Sequence, residues 1–245
     1  MNRGGGPPGA SDPEQAARWV RAMFARVTPR YDLLNRLLSF RQDRRWRAFA
    51  ARRVRPWLAG PGRRVLDLCC GTGDLLAALE REARRAGTRP MLLGCDFCRP
   101  MLARARRKLP QALLIEADAL RVPLPDRSLD LVTAAFGLRN LADYRAGLLE
   151  MRRLLRPGGA AAILEFSHPS GRLLRALYGA YSRLWLPLLG GLISGAPEAY
   201  RYLPESVRCF PSAGELEEAM RRAGFPRVAL ETLSGGIVTL HLGLV

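Results

Sequence analysis

Arg64-Val65-Leu66-Asp67-Leu68-Cys69-Cys70-Gly71-Thr72-Gly73-Asp74 reads as strand, turn and helix start. Val65, Leu66 and Leu68 make a short apolar run of strand length, and Gly71-Thr72-Gly73 makes a tight turn. Leu75-Leu76-Ala77-Ala78-Leu79 then has the composition of a helix. This order is the first half of a βαβ unit. Two glycines let a ligand approach the backbone with no Cβ in the way, and the helix start offers it free N–H groups.

The turn is not a dinucleotide fingerprint, because Leu76 stands where G-x-G-x-x-G needs its last glycine. No G-x-x-x-x-G-K-S/T occurs either. What remains is D-x-x-x-G-x-G, beginning at Asp67 and followed by Asp96 at the end of the next apolar run, Met91 to Cys95. An acid at the tip of a second strand is placed to accept hydrogen bonds from ribose hydroxyls. A nucleoside-bearing cofactor without a pyrophosphate fits, and S-adenosyl-L-methionine is one.

Working outward, apolar runs at 64–69, 91–96, 112–116, 129–135 and 160–166 alternate with helical segments, the pattern of a mostly parallel sheet. Arg156-Pro157-Gly158-Gly159 reads as the turn into the fifth strand. Two further runs, 227–233 and 237–243, are separated by Ser234-Gly235-Gly236, a hairpin signal. A seven-stranded parallel sheet closed by an antiparallel hairpin is similar to the Rossmann-like class I methyltransferase architecture. One domain is expected over 12–245 after a disordered tail over 1–11, with a helical lid over 12–60 and an apolar, substrate-covering insertion over 171–205. Asp12-Pro13 caps the first helix.

The net charge of +17 invites a nucleic-acid partner. Of the 39 basic residues all but Lys108 are arginine, and they scatter over helix faces instead of clustering, which speaks against one. No apolar run reaches the roughly 20 residues of a spanning helix. The five cysteines and the absence of a visible export signal point to the cytoplasm. Cys69, Cys70, Cys95 and Cys98 meet at two strand ends, but a metal there would fill the cofactor pocket, so none is expected. Leucines and aromatics between 171 and 195 (Leu173, Leu177, Tyr178, Tyr181, Trp185 among them) suit either a cover over the sheet edge or a greasy substrate tunnel and membrane contact. Phe136-Gly137-Leu138-Arg139-Asn140 follows the fourth strand at its carboxyl end, where open α/β sheets bind ligands. His241 is expected to be structural.

The stretches MFARVTPRYDLLNRLLSF, DRRWR, VLDLCCGTGD, GCDF, FGLRN, AYRYLPESVRCFPS and SGGIVTLH run from Met23 to His241. Together they resemble the ubiquinone/menaquinone biosynthesis C-methyltransferase family. The resemblance implies methyl transfer from S-adenosyl-L-methionine to a ring carbon of a prenylated demethylmenaquinol, or alternatively of a benzoquinol precursor of ubiquinone. It places cofactor contacts on Thr72, Asp96, Asp118 and Ala119; with the residues of the turn and second strand the expected cofactor set is Asp67, Gly71, Thr72, Gly73, Asp96, Phe97, Asp118 and Ala119. The expected catalytic set is Arg139, as a stabiliser of the developing oxyanion, with Asn140, Tyr31 and Asp118 orienting the quinol. Ala135 departs from family members that carry a serine before the phenylalanine. A peripheral contact at the inner face of the cell membrane follows from the oily substrate, and a homodimer is left open.

Overall fold

The computed structural model describes residues 12–169, 171–182 and 197–245. The expected tail over 1–11 and the 183–196 part of the apolar insertion, Trp185 included, lie outside them. Strands β1 (Arg64–Leu68), β2 (Met91–Asp96), β3 (Leu113–Glu116), β4 (Leu129–Ala135), β5 (Leu155–Phe166), β6 (Arg227–Leu233) and β7 (Val238–Leu244) form one sheet in the order β3-β2-β1-β4-β5-β7-β6. The first five are parallel, and β7 inserts antiparallel between β5 and β6. The seven apolar runs fall within two residues of these bounds at the start of every strand but the fifth. There Leu129 faces Leu155 while Leu131 faces Ala160. Arg156-Pro157-Gly158-Gly159 is therefore a bulge inside a longer strand, with Gly158 at φ +77°, and not a turn before it.

Both faces of the sheet are covered because its strands are apolar on both sides. Leu66 and Leu68 pack with Leu148, Met151 and Phe225 on one face; Val65 and Leu131 pack with Trp46, Val54, Leu58 and Leu79 on the other. Helix α5 (Asp74–Arg85) follows β1, α6 (Arg99–Lys108) follows β2, and α7 (Tyr144–Leu154) follows β4. The N-terminal segment expected as one lid divides in two. Helices α3 (Gln42–Arg53) and α4 (Arg55–Leu58) supply Trp46, Ala50, Ala51, Val54 and Leu58 to the second face of the core, so they belong to the sheet sandwich. Helices α1 (Pro13–Val27), capped by the Asp12 carboxylate accepting from Gln15 N, and α2 (Tyr31–Leu38) pack instead with α6 and α9 (Pro197–Cys209) over the strand tips. Of the insertion, α8 (Arg172–Ala180) buries none of its residues. Helix α10 (Ala213–Arg222) opens with a Ser212/Glu215 capping box.

Candidate active site

The tips of β1 and β4 carry the strain of the molecule. Cys69 and Phe136, directly after them, have φ of +54° and +58°, a left-handed conformation that costs a side-chain-bearing residue energy. Gly137 lies against Cys69 so closely that a Cβ would come within 2.5 Å of the Cys69 Cβ. These turns splay the chain apart and leave a cavity of about 540 Å³ between them. Gly71 lines it at φ +54°, and no protein atom lies within 4 Å of the point a Cβ would take.

Asp96 holds this turn in place. Its carboxylate accepts from Gly71 N (2.8 Å) and from Cys98 N (2.8 Å). Burial pushes its carboxyl above the ordinary carboxylate range, and the backbone N–H groups oppose that. Phe97, Asp118, Ala119, Tyr31 and Asn140 also line this cavity. A carboxylate with lone pairs to spare, a bare glycine turn and an adjacent loop acid fit an adenosine-bearing, positively charged sulfonium. Asp96 would hold the ribose hydroxyls, Gly71 the backbone-facing edge, and Asp118 with Ala119 the adenine.

Three members of the expected cofactor set lie elsewhere. Asp67 is 1% exposed and accepts from Thr133 Oγ1 (2.8 Å). Burial pushes its carboxyl up to about 7, against that hydrogen bond. Gly73 caps α5 at φ +81°. Thr72 turns its hydroxyl away to Asp32 Oδ1 (2.6 Å). None of the three lines the cavity among the described residues; they shape the turn. Thr72 belongs to a cluster that fastens α2 onto it. Lys108 Nζ reaches Asp32 (2.8 Å), Asp74 (2.7 Å) and the Thr72 hydroxyl (3.0 Å). Burial works to raise the Asp32 carboxyl, but the hydrogen bonds from Lys108 and Thr72 outweigh it and hold the group below the ordinary carboxylate range.

A second cavity, of about 640 Å³, adjoins the first. Phe24, Tyr31, Phe136 and Asn140 line both and form the boundary between them. Its remaining wall is aliphatic and aromatic, with Leu174, Leu177, Tyr178 and Tyr181 from α8 and its extension, and Tyr200 and Tyr202 from α9. Arg139 stands in this wall and not in that of the first cavity, whereas Asp118 lines only the first. The Arg139 guanidinium is 6% exposed; Nη1 donates to Glu165 (2.6 Å) and to the Phe136 carbonyl (2.6 Å), and the group lies 5.3 Å from the Phe166 ring centre. Its Nε is buried with no partner. Asn140 accepts from the Tyr202 hydroxyl (3.2 Å) and donates to the Phe136 carbonyl (3.4 Å). The Tyr31 ring packs edge-on against Phe24 (6.1 Å). Burial raises its phenol, opposed by Asn35 and by the positive charges of Arg47 and Arg139.

Glu165 and Tyr202 were not among the residues expected from the sequence. Glu165 closes an apolar strand, and nothing in its neighbours marks it as the partner of Arg139. Tyr202 sits in AYRYLPES, a stretch that returns toward the site but does not say which tyrosine points inward. Trp46 of DRRWR donates to Ser234 Oγ (2.9 Å), which ties α3 to the hairpin turn. His241 is fully buried in β7 and its Nε2 meets the Ala213 carbonyl (2.9 Å). Burial pushes the thiols of Cys69 and Cys70 well above their ordinary value, and Cys95 up to about 12. Among the described residues no group of three or more His, Cys, Asp or Glu is placed to hold a metal ion.

Comparison with known proteins agrees with this geometry. A demethylmenaquinone methyltransferase of Thermus thermophilus is 48% identical over 225 residues, covering 90% of this chain and 99% of that protein. A ubiquinone/menaquinone biosynthesis C-methyltransferase of Syntrophotalea carbinolica is 45% identical over 228 residues, covering 91% and 93%. Among solved structures, a methyltransferase of Thermotoga maritima dependent on S-adenosylmethionine superposes with a TM-score of 0.60 at 18% identity, covering 92% of this chain and 99% of that one. The fold is thus that of the class I methyltransferases. The ubiE/COQ5 methyltransferase family model matches residues 12–245, and the chain belongs to that family.

Proposed function

We propose that the protein methylates a ring carbon of a prenylated demethylmenaquinol, with S-adenosyl-L-methionine as methyl donor. The observation that carries this reading is the pair of adjoining cavities. One is lined by a glycine turn and carboxylates; the other is aromatic with a buried guanidinium; they meet at Tyr31, Phe24, Phe136 and Asn140. The names of the relatives, at 48% and 44% identity, support the naphthoquinol over the benzoquinol.

The bound donor supplies an already activated methyl group, so the chain mainly has to align and to exclude water. In the reaction a carbon–carbon bond forms to the ring while the sulfur–methyl bond breaks with its electron pair left on sulfur. The hydroxyl ortho to the accepting carbon gives up its proton beforehand, and that carbon loses its hydrogen as a proton afterwards. Arg139 opposes the charge that develops on the ring oxygen; a guanidinium stays protonated and is suited to this. Asn140 and Tyr31, at the boundary, orient the ring toward the first cavity. Asp118 acts on the cofactor side.

The prenyl tail leaves past α8. Leu37 and Phe40 on and after α2, and Leu173 and Leu177 on α8, are exposed there, with Arg36, Arg41, Arg172 and Arg175 beside them. The two segments touch where the Tyr181 hydroxyl donates to the Leu38 carbonyl (2.5 Å). Apolar side chains ringed by arginines suit an anionic bilayer, at about 1 kcal/mol per basic residue near the surface. Among the described residues no helix is long and apolar enough to cross a membrane.

Incubation with methyl-labelled donor and each reduced, demethylated quinol under anaerobic conditions tests the activity. Label in the ring methyl of the naphthoquinol product is expected. Transfer to the benzoquinol alone, or to neither, refutes the proposal.

A further inference from the structure

Arg139 is not the only buried cation in the apolar cavity. Arg47 of α3 also lines it and is 7% exposed. The two are held alike. Arg47 Nη1 donates to Asp43 Oδ2 (2.7 Å), and Asp43 Oδ1 accepts from Ser39 Oγ (2.8 Å). Arg139 is held by Glu165 in the same way. Arg47 lies 5.2 Å from the Phe136 ring centre and Arg139 5.3 Å from that of Phe166, and the two rings are 4.7 Å apart. Guanidinium, ring, ring and guanidinium thus follow one another along the cavity wall.

A guanidinium offers five N–H donors. The acceptor of Arg47 among the described residues is Asp43, through one nitrogen. Its other nitrogens have no protein partner, yet they are not among the solvent-inaccessible atoms. The cavity supplies their open space. Burying a cation is costly, and a pair that only filled volume would be replaced by apolar residues without loss. Both guanidiniums also act on the Tyr31 phenol, at the boundary of the two cavities, against the larger effect of burial.

We propose that Arg47 is a second recognition residue for the quinol, donating to the ring oxygen para to the one Arg139 stabilises. The proposal deepens the quinol reading and rests on it. Para oxygens sit at opposite edges of a flat ring, as the two cations sit at opposite ends of the stacked phenylalanines. The substrate class is therefore a 1,4-dioxygenated arene, not a simple phenol or a catechol. The two contacts differ in kind. The oxygen at Arg139 is ortho to the accepting carbon and acquires charge as the new bond forms. The oxygen at Arg47 is meta to that carbon, keeps its hydrogen and does not conjugate charge onto it. Arg47 thus binds ground state and transition state alike and acts on KM, while Arg139 acts on kcat.

The test compares two substrates on two enzymes: the short-chain prenylated 1,4-naphthoquinol, and an analogue with hydrogen in place of the hydroxyl meta to the accepting carbon. The native enzyme should lose on the order of 10- to 100-fold in kcat/KM when that oxygen is removed, mostly through KM, as for a hydrogen bond to a charged group. Arg47→Gln should show a similar loss on the full quinol and no further loss beyond about threefold on the analogue. If Arg47→Gln instead loses equally on both, the residue is structural and the proposal falls; it falls as well if the native enzyme treats the two substrates alike. A native enzyme that methylates neither, while binding S-adenosylhomocysteine, overturns the quinol reading itself. Because Arg47→Gln leaves Asp43 buried without its cation, Asp43→Asn/Arg47→Gln is measured beside it, with melting and S-adenosylhomocysteine calorimetry as the check of folding. The comparison on the native enzyme needs no variant at all.

Discussion

Arg139→Ala removes one partner of a buried ion pair whose side chains are 7% and 1% exposed. Two losses follow, and the structure separates them. The Glu165 carboxylate would keep the Phe166 N–H at 2.9 Å and a long contact from the residue-139 N–H at 3.4 Å, with no cation. Stranding a buried charge in this way costs about 3–5 kcal/mol. For a domain of this size each kcal/mol lowers Tm by about 2–4 °C, so a fall on the order of 10 °C is expected. Losing a preorganised partner for the developing oxyanion costs a further ~100- to 1,000-fold in kcat, about 2.7–4 kcal/mol of barrier. Arg139→Ala/Glu165→Gln tells them apart. The neutral amide no longer needs a cation, so at least half of the Tm should return while turnover stays low. Differential scanning calorimetry and single-turnover transfer of labelled methyl measure the two. A single variant with native Tm and native kcat would refute the reasoning, and so would a double variant that regains turnover.

Asp96→Ala removes the acceptor for two backbone N–H groups and the expected ribose contact; S-adenosylhomocysteine should bind on the order of 10- to 100-fold more weakly by calorimetry. An unchanged Kd would rule the ribose role out. Asp67 gives a pH test. An acid raised in the folded state contributes stability that is full below its ordinary value of 3.8 and is lost as pH rises through about 7. Asp67→Asn escapes that loss, so it should match the native protein at pH 4 and exceed it at pH 8 by up to ~4 kcal/mol, with cofactor affinity unchanged; urea melts at both pH values decide. Leu37→Glu/Phe40→Glu should weaken flotation with anionic vesicles at least several-fold while leaving turnover on a detergent-solubilised quinol near native. Equal flotation of the two proteins would reject the proposed bilayer contact.

What the sequence reveals of this fold is what a local apolar run can encode. Each strand is bounded by glycine, proline or a charged residue, and the parallel ones carry apolar side chains to both faces, so their positions survive in composition alone. The hairpin is legible because Ser234-Gly235-Gly236 permits little else. The bulge at 156–159 is hidden, since Pro157 and Gly158 are the residues of a turn and only pairing across the sheet shows that the strand continues. The site is legible where a residue sits at a strand tip, as Asp96, Asp118, Arg139 and Asn140 do. It is illegible where function depends on a partner remote in the chain. Glu165 meets Arg139 across 26 positions and Tyr202 meets Asn140 across 62. The Thr72 hydroxyl turns from the cavity because Asp32, brought there by α2, competes for it.

Lys108 is the one lysine of the chain, and it joins α6 to α2 and to the glycine turn. Apart from the α-amine, an acylating reagent therefore has a single target. The amine gains reactivity only when its carboxylate partners release it. The rate at which mass spectrometry finds that position acetylated would serve as a stopwatch for the opening of α2, slowed by whatever nucleoside keeps the helix down.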